Sequence, residues 1–151
     1  MDRDSADQSS ADLMPIEPPH LNVPSGPVIV SVCTTCKTAD GSAVVGPEMF
    51  AAVKAALDTG DADVVVRPVQ CLSVCKRPAT VAVTSSDGYT FLFGDLQPES
   101  GTAALASFIK SYQNSDYGLV PWRERAEVLR KGMVARVPPM HWSPADGLAP
   151  K

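Results

Sequence analysis

The cysteines of this 151-residue chain constrain its fold and function more than any other feature. There are four, and they form two close pairs, Cys33-x-x-Cys36 and Cys71-x-x-x-Cys75, separated by 34 residues. Each pair follows a run of β-branched residues that predicts a strand. Four thiols in two short clusters are typical of a four-ligand inorganic centre, and we expect all four cysteines to bind it.

The segment between the two pairs predicts how they meet. Residues 28–32 and 63–69 are rich in valine and predict buried strands, and between them Pro47 opens a helix whose apolar face carries Phe50, Val53 and Leu57. A strand, a helix and a second strand form a right-handed crossover unit with parallel strands. Because parallel strands end at the same edge of a sheet, we expect the two cysteine pairs to approach each other there.

The rest of the central region completes a small sheet. Residues 79–83 and 89–93 predict two strands, and Asp87-Gly88 between them is a hairpin signal. A second helix is expected from Pro98 or Ser100, with an apolar face of Leu105, Phe108, Ile109 and Tyr112. The order β-α-β-β-β-α predicts an α/β thioredoxin-like sandwich with a four-stranded mixed sheet and a loop at the second cysteine pair.

Both ends of the chain differ in composition from this central domain, residues 27–113. Residues 1–26 are polar and proline-rich and predict a disordered N-terminal arm. Residues 114–151 predict a C-terminal arm that packs on the domain through Trp122 and Leu129, while its basic residues face either water or a partner protein. We expect His20 to be solvated and His141 to be structural or solvated.

The bulk properties exclude several classes of protein. The net charge of −4 and the pI of about 5.0 argue against binding nucleic acid. No apolar run approaches the roughly 20 residues that span a bilayer, and no secretory signal begins the sequence, so a cytoplasmic protein is expected. No catalytic motif is present, which favours a metal-binding protein or electron carrier over an enzyme.

A [2Fe–2S] cluster suits these thiols because it needs four thiolates, two at each iron. The hydroxyl groups of Thr34, Thr35 and Ser73 lie within the two cysteine loops and are candidate hydrogen-bond donors to sulfur. Three cations flank the cysteines and would raise the reduction potential if they face the cluster, or else are ordinary surface charges: Lys37, Lys76 and Arg77.

Two alternatives remain open on the sequence. Four cysteines also form structural zinc sites, which would make this an interaction domain, although paired zinc knuckles are usually closer together in sequence. Cys33 and Cys36 resemble a dithiol oxidoreductase pair, but a loop through Asp40-Gly41 delays the helix that would lower the thiol pKa.

The spacing and element order resemble thioredoxin-like [2Fe–2S] ferredoxins, which include the small cluster-bearing subunit of respiratory NADH dehydrogenase. The sequence also resembles a bacterial family of small, uncharacterised, predicted metal-binding proteins. The blocks that carry this second resemblance are 32–36, 71–78, 89–96, 118–125 and 135–139. The resemblance implies a [2Fe–2S] electron carrier with a redox partner protein, and related ferredoxins form homodimers.

Overall fold

The computed structural model of the protein describes residues 22–38, 40–58, 60, 63–140 and 147–148. The predictions for His20, for His141 and for residues 1–21 of the N-terminal arm lie outside the described residues. No helix in these ranges is long and apolar enough to cross a membrane.

Five strands form one mixed sheet in the order β2-β1-β3-β4-β5. Strands β1 and β2 are parallel, and the other neighbouring strands are antiparallel. The strands are β1 (Val28–Cys33), β2 (Val64–Val69), β3 (Val81–Ser85), β4 (Gly88–Phe93) and β5 (Met133–Val137).

Among the described residues, three α-helices accompany the sheet: α1 (Gly46–Leu57), α2 (Pro98–Gln113) and α3 (Glu127–Lys131). A proline lies in the first turn of both long helices, where its missing N–H has no helical partner to lose. Short 3₁₀ turns at Asp116–Gly118 and Trp122–Glu124 lie between α2 and α3. Helix α1 connects β1 to β2 and is the crossover that the sequence predicts between two parallel strands.

The core lies between one face of the sheet and the two long helices. Alternate strand residues such as Val30, Val83 and Phe91 are fully buried on this face. Phe108 of α2 packs edge-on against Phe91, with ring centroids 5.0 Å apart. The Tyr112 hydroxyl donates a 2.6 Å hydrogen bond to the carbonyl of Tyr89, so the polar group of this fully buried side chain has a partner.

The structure confirms the predicted α/β thioredoxin-like class, but the predicted number of four strands is wrong. Strand β5 lies inside the predicted C-terminal arm and pairs with β4. The hairpin turn is formed by Ser86 and Asp87, so Gly88 already belongs to β4. Of the two predicted anchors of the arm, Leu129 is fully buried, whereas Trp122 is 61% exposed and the expectation for it is wrong.

Candidate metal centre

The register of β1 and β2 positions both cysteine pairs. Cys33 is the last residue of β1 and lies opposite Val69, the last residue of β2. The amide of Thr34 donates a 2.8 Å hydrogen bond to the carbonyl of Val69, which carries the pairing one residue further. Cys71 follows two residues after Val69, so the second pair begins at the edge of the sheet where the first pair ends.

The residue before Cys71 contacts the first cysteine loop. The Cys33 Sγ atom lies 3.7 Å from the carbonyl oxygen of Gln70. The Thr35 hydroxyl donates a hydrogen bond to the same carbonyl. The loop that carries Cys71 is therefore held against the first pair.

The Cys33 thiol is buried, and its surroundings favour the thiolate. Burial raises the pKa of Cys33, but hydrogen bonds from Cys36 and from Thr35 outweigh it, and the pKa falls to about 7. The Thr35 hydroxyl lies 3.7 Å from the Cys33 sulfur and also bonds to the carbonyl of Gln70. Donors around sulfur stabilise negative charge on it, as a thiolate ligand requires.

Cys36 is buried beneath the start of β3 and beside the start of α1. Its sulfur lies 3.5 Å from the hydroxyl oxygen of the fully buried Thr80. Burial raises its pKa, the hydrogen bonds with Thr80 oppose this, and Cys33 raises the pKa further. The carbonyl of Cys36 accepts hydrogen bonds from the amides of Val45 (2.8 Å) and Gly46 (3.0 Å), which closes the loop onto the helix.

The second pair is exposed, in contrast to the first. Ser73 adopts a positive φ of 62° and donates its amide to the sulfur of Cys71 at 3.2 Å. The pKa of Cys75 is raised by its hydrogen bond to Cys71 and by the nearby charges of Cys71 and Cys33. Cys75 is therefore electrostatically coupled to a cysteine of the first pair.

The four cysteines are free thiols arranged as two pairs at one edge of the sheet. Within the part of the chain that the structure describes, no three side chains of His, Cys, Asp or Glu are grouped so that they could hold one metal ion. The donor type and the division into an inner and an outer pair fit a group with two metals, each bound by two thiolates.

The predicted hydroxyl donors contribute unequally. The Thr35 hydroxyl contacts Cys33, whereas the Thr34 hydroxyl lies 3.3 Å from the carbonyl of Val69 and Ser73 contributes its backbone amide. The sequence analysis missed Thr80. Thr80 directly precedes β3, which pairs antiparallel with β1. The Cys33 amide donates a 3.1 Å hydrogen bond to the Thr80 carbonyl and so extends this pairing beyond β3. The register of β1 and β3 is therefore the signal that could have placed Thr80 beside the cysteines.

The flanking cations also differ in role. Lys37 and Lys76 have exposed side chains. The Arg77 side chain instead pairs with Asp95 and with two backbone carbonyls near β5. Arg77 is therefore not a simple surface charge. Asp95 follows β4 after Gly94 and adopts a φ of 57°.

Residues 30–139 match the family described as "Protein of unknown function (DUF1636)". The chain belongs to this family. The match runs from within β1 to just beyond β5, so it includes both cysteine pairs and the C-terminal strand. No curated protein matches the sequence.

This family member has a fold similar to that of a thioredoxin-like [2Fe–2S] ferredoxin from Aquifex aeolicus. One structure of that ferredoxin aligns with a TM-score of 0.50 and 16% identity, covering 78% of this chain and 100% of the ferredoxin. The wild-type protein in another structure aligns with a TM-score of 0.49 and 16% identity, covering 74% of this chain and 99% of the ferredoxin. At this level of identity the likeness is one of fold.

Proposed function

We propose that this protein is a [2Fe–2S] electron carrier of the ferredoxin type. Cys33 and Cys36 would bind one iron, and Cys71 and Cys75 the other. Bound in this way, the cluster supplies one-electron oxidation and reduction. The chain itself then needs no catalytic residue, and its partner is a redox protein that remains to be identified.

One observation carries the proposal. The carbonyl of Gln70, the residue before Cys71, lies 3.7 Å from the sulfur of Cys33 and accepts a hydrogen bond from the Thr35 hydroxyl. This contact brings together two cysteine pairs that are 34 residues apart in sequence. A two-metal group bridges such pairs, whereas a single zinc ion requires three or four donors around one point.

The surroundings of the two pairs suit different tasks. Cys33 and Cys36 are buried against β3 and α1, which protects their side of a cluster from water. Cys71 and Cys75 are exposed, so a partner protein can approach the cluster from their side. The Thr80 hydroxyl and the Ser73 amide are placed to donate to sulfur, and hydrogen bonds to sulfur tune the reduction potential.

A dithiol oxidoreductase is the second candidate, and one observation favours it. Cys33 and Cys36 are free, buried thiols in a C-x-x-C arrangement, the spacing of a redox-active pair that closes into a disulfide. This candidate uses only the first pair. It assigns no role to Cys71 and Cys75, although their loop is held against Cys33.

Four single Cys→Ser variants separate these candidates. After anaerobic reconstitution with iron and sulfide, we expect the wild type to show the broad visible absorption of an iron–sulfur centre. Each substitution, Cys33→Ser, Cys36→Ser, Cys71→Ser or Cys75→Ser, is expected to weaken this absorption strongly, because each removes one of four ligands. If the wild type stays colourless, and only the first two substitutions abolish a reversible disulfide, the oxidoreductase is correct.

A further inference from the structure

The Arg77 side chain joins the second cysteine loop to the C-terminal segment. Its Nε atom donates a 2.8 Å hydrogen bond to the carboxylate of Asp95. Its Nη2 and Nη1 atoms donate to the carbonyls of Lys131 (2.9 Å) and Met133 (3.3 Å). One planar guanidinium group thus contacts the turn after β4 and the junction of α3 with β5, a geometry that the ammonium of lysine cannot reproduce.

The backbone of Arg77 is fixed as firmly as its side chain. Its carbonyl accepts a 2.8 Å hydrogen bond from the amide of Asp95, and its amide donates to the carbonyl of Val74 at 3.0 Å. Gly94 approaches so closely that a Cβ atom there would lie 2.6 Å from the Arg77 carbonyl oxygen. The Gly94 amide also bonds to the carbonyl of Gly132 at 2.7 Å, so the three segments meet at one place.

The second cysteine loop is held by Leu72, which packs against the core, and by anchors at its two ends. Cys71 and Cys75 are both exposed, so burial of their side chains does little to fix the loop. At its N-terminal end the loop is continuous with β2 and contacts Cys33. At its C-terminal end, Arg77 follows Cys75 by two residues.

We infer that Arg77 is a positioning residue that holds Cys71 and Cys75 in place for metal binding by tying their loop to Asp95 and the α3–β5 junction. This inference rests on the proposed function, because it gives the C-terminal segment a role in retaining the cluster. The segment that includes β5 is then part of the metal centre's support.

Three variants test the inference. Arg77→Gln removes the charge and most of the contacts, Arg77→Lys keeps the charge without the planar geometry, and Lys76→Gln is the matched control on the exposed neighbour. In the cluster-loaded protein, iron release to a chelator is expected to quicken about tenfold in Arg77→Gln, because a set of charge-assisted hydrogen bonds is lost. Arg77→Lys should rescue this loss only in part, and Lys76→Gln should match the wild type.

Hydrogen exchange of the metal-free protein supplies a readout that needs no cluster. In Arg77→Gln, the amides of residues 71–77 and of residues 131–134 are expected to exchange faster than in Lys76→Gln. If only residues 131–134 change and iron release stays at the wild-type rate, Arg77 merely fastens the C-terminal segment and the inference is wrong. If the wild type binds no iron, the proposed function fails, while the exchange of residues 71–77 still decides whether Arg77 holds the loop.

Discussion

Gly46 illustrates at the residue scale how tightly the first cysteine loop fits against α1. A Cβ atom at this position would lie 2.7 Å from the carbonyl oxygen of Cys33 and would collide with the carbonyl group of Thr34. These are backbone atoms at the end of the inner strand β1, so they cannot move aside as a flexible side chain would. The helix reaches the cysteine loop only because residue 46 has no side chain.

Gly46→Ala is therefore expected to destabilise the protein, although alanine is the better helix former. Overpacking against rigid neighbours costs about 1–3 kcal/mol, which exceeds the roughly 1 kcal/mol gained in helix propensity. Urea unfolding measures the difference in free energy. Gly101→Ala in α2 is the matched control, because its new Cβ would meet only side chains, the nearest being Leu96 Cβ at 3.1 Å. Equal stabilities of the two variants would contradict the close fit.

Individual residues of the candidate site were predictable to different degrees. The four cysteines and Thr35 are recognisable in the sequence because thiols and hydroxyls cluster there. The contact of Gln70 with Cys33 uses a backbone carbonyl, which every residue type carries. Composition therefore gives no sign of it, and only the pairing of β1 with β2 places Gln70 at the sulfur.

At the scale of elements, the strands that contain valine runs were predictable and β5 was not. Strands β1 and β3 are inner strands, so both carry apolar residues that are buried on the core face. Strand β5 is an edge strand whose last three residues, Ala135, Arg136 and Val137, are exposed. A short edge strand that contains an arginine has a weak periodic signal, so the sequence analysis assigned it to an arm.

The loop between Cys36 and α1 is stabilised by a network around Asp40. Its carboxylate accepts hydrogen bonds from the Thr38 hydroxyl (2.7 Å) and from the amide (2.9 Å) and hydroxyl (2.7 Å) of Ser42. The Thr38 hydroxyl and the Ser42 donors lower the pKa of Asp40 from 3.8 to about 2. The network therefore favours the ionised carboxylate in the folded protein.

This network predicts a stability change in acid. Because the folded state depresses the pKa of Asp40, its contribution is present above pH 4 and is lost as the pH falls toward about 2. The stability advantage of the wild type over Asp40→Asn should therefore shrink across this range in urea unfolding. Thr38→Val, which removes the largest contribution, should move the carboxyl pKa back toward 3.8 in an NMR titration. An Asp40 pKa of 3.8 in the wild type would show that the network does not form.

At the scale of the whole molecule, two loops from different parts of the chain meet at one edge of the sheet and are held from opposite sides. The first loop closes on the start of α1 through the carbonyl of Cys36. The second is tied through Arg77 to the junction of α3 and β5. The core beneath them, centred on Phe91 and Phe108, packs the sheet against the helices.

The protein that carries these two loops is a member of the DUF1636 family, and its fold is similar to that of a thioredoxin-like ferredoxin. The predicted order of elements located the first loop between β1 and the crossover helix α1, because α1 is the next element in sequence. The support of the second loop was not predictable, because Arg77 and Lys131 are more than fifty residues apart and both resemble surface charges.

The central claim is that both cysteine pairs bind one two-iron group, and a stoichiometry tests it most directly. Iron, acid-labile sulfide and zinc are measured in protein purified without oxygen. The account predicts two iron atoms and two sulfides per chain, with no zinc, because four thiolates complete a [2Fe–2S] cluster. One zinc ion per chain without sulfide, or no metal at all, would contradict it.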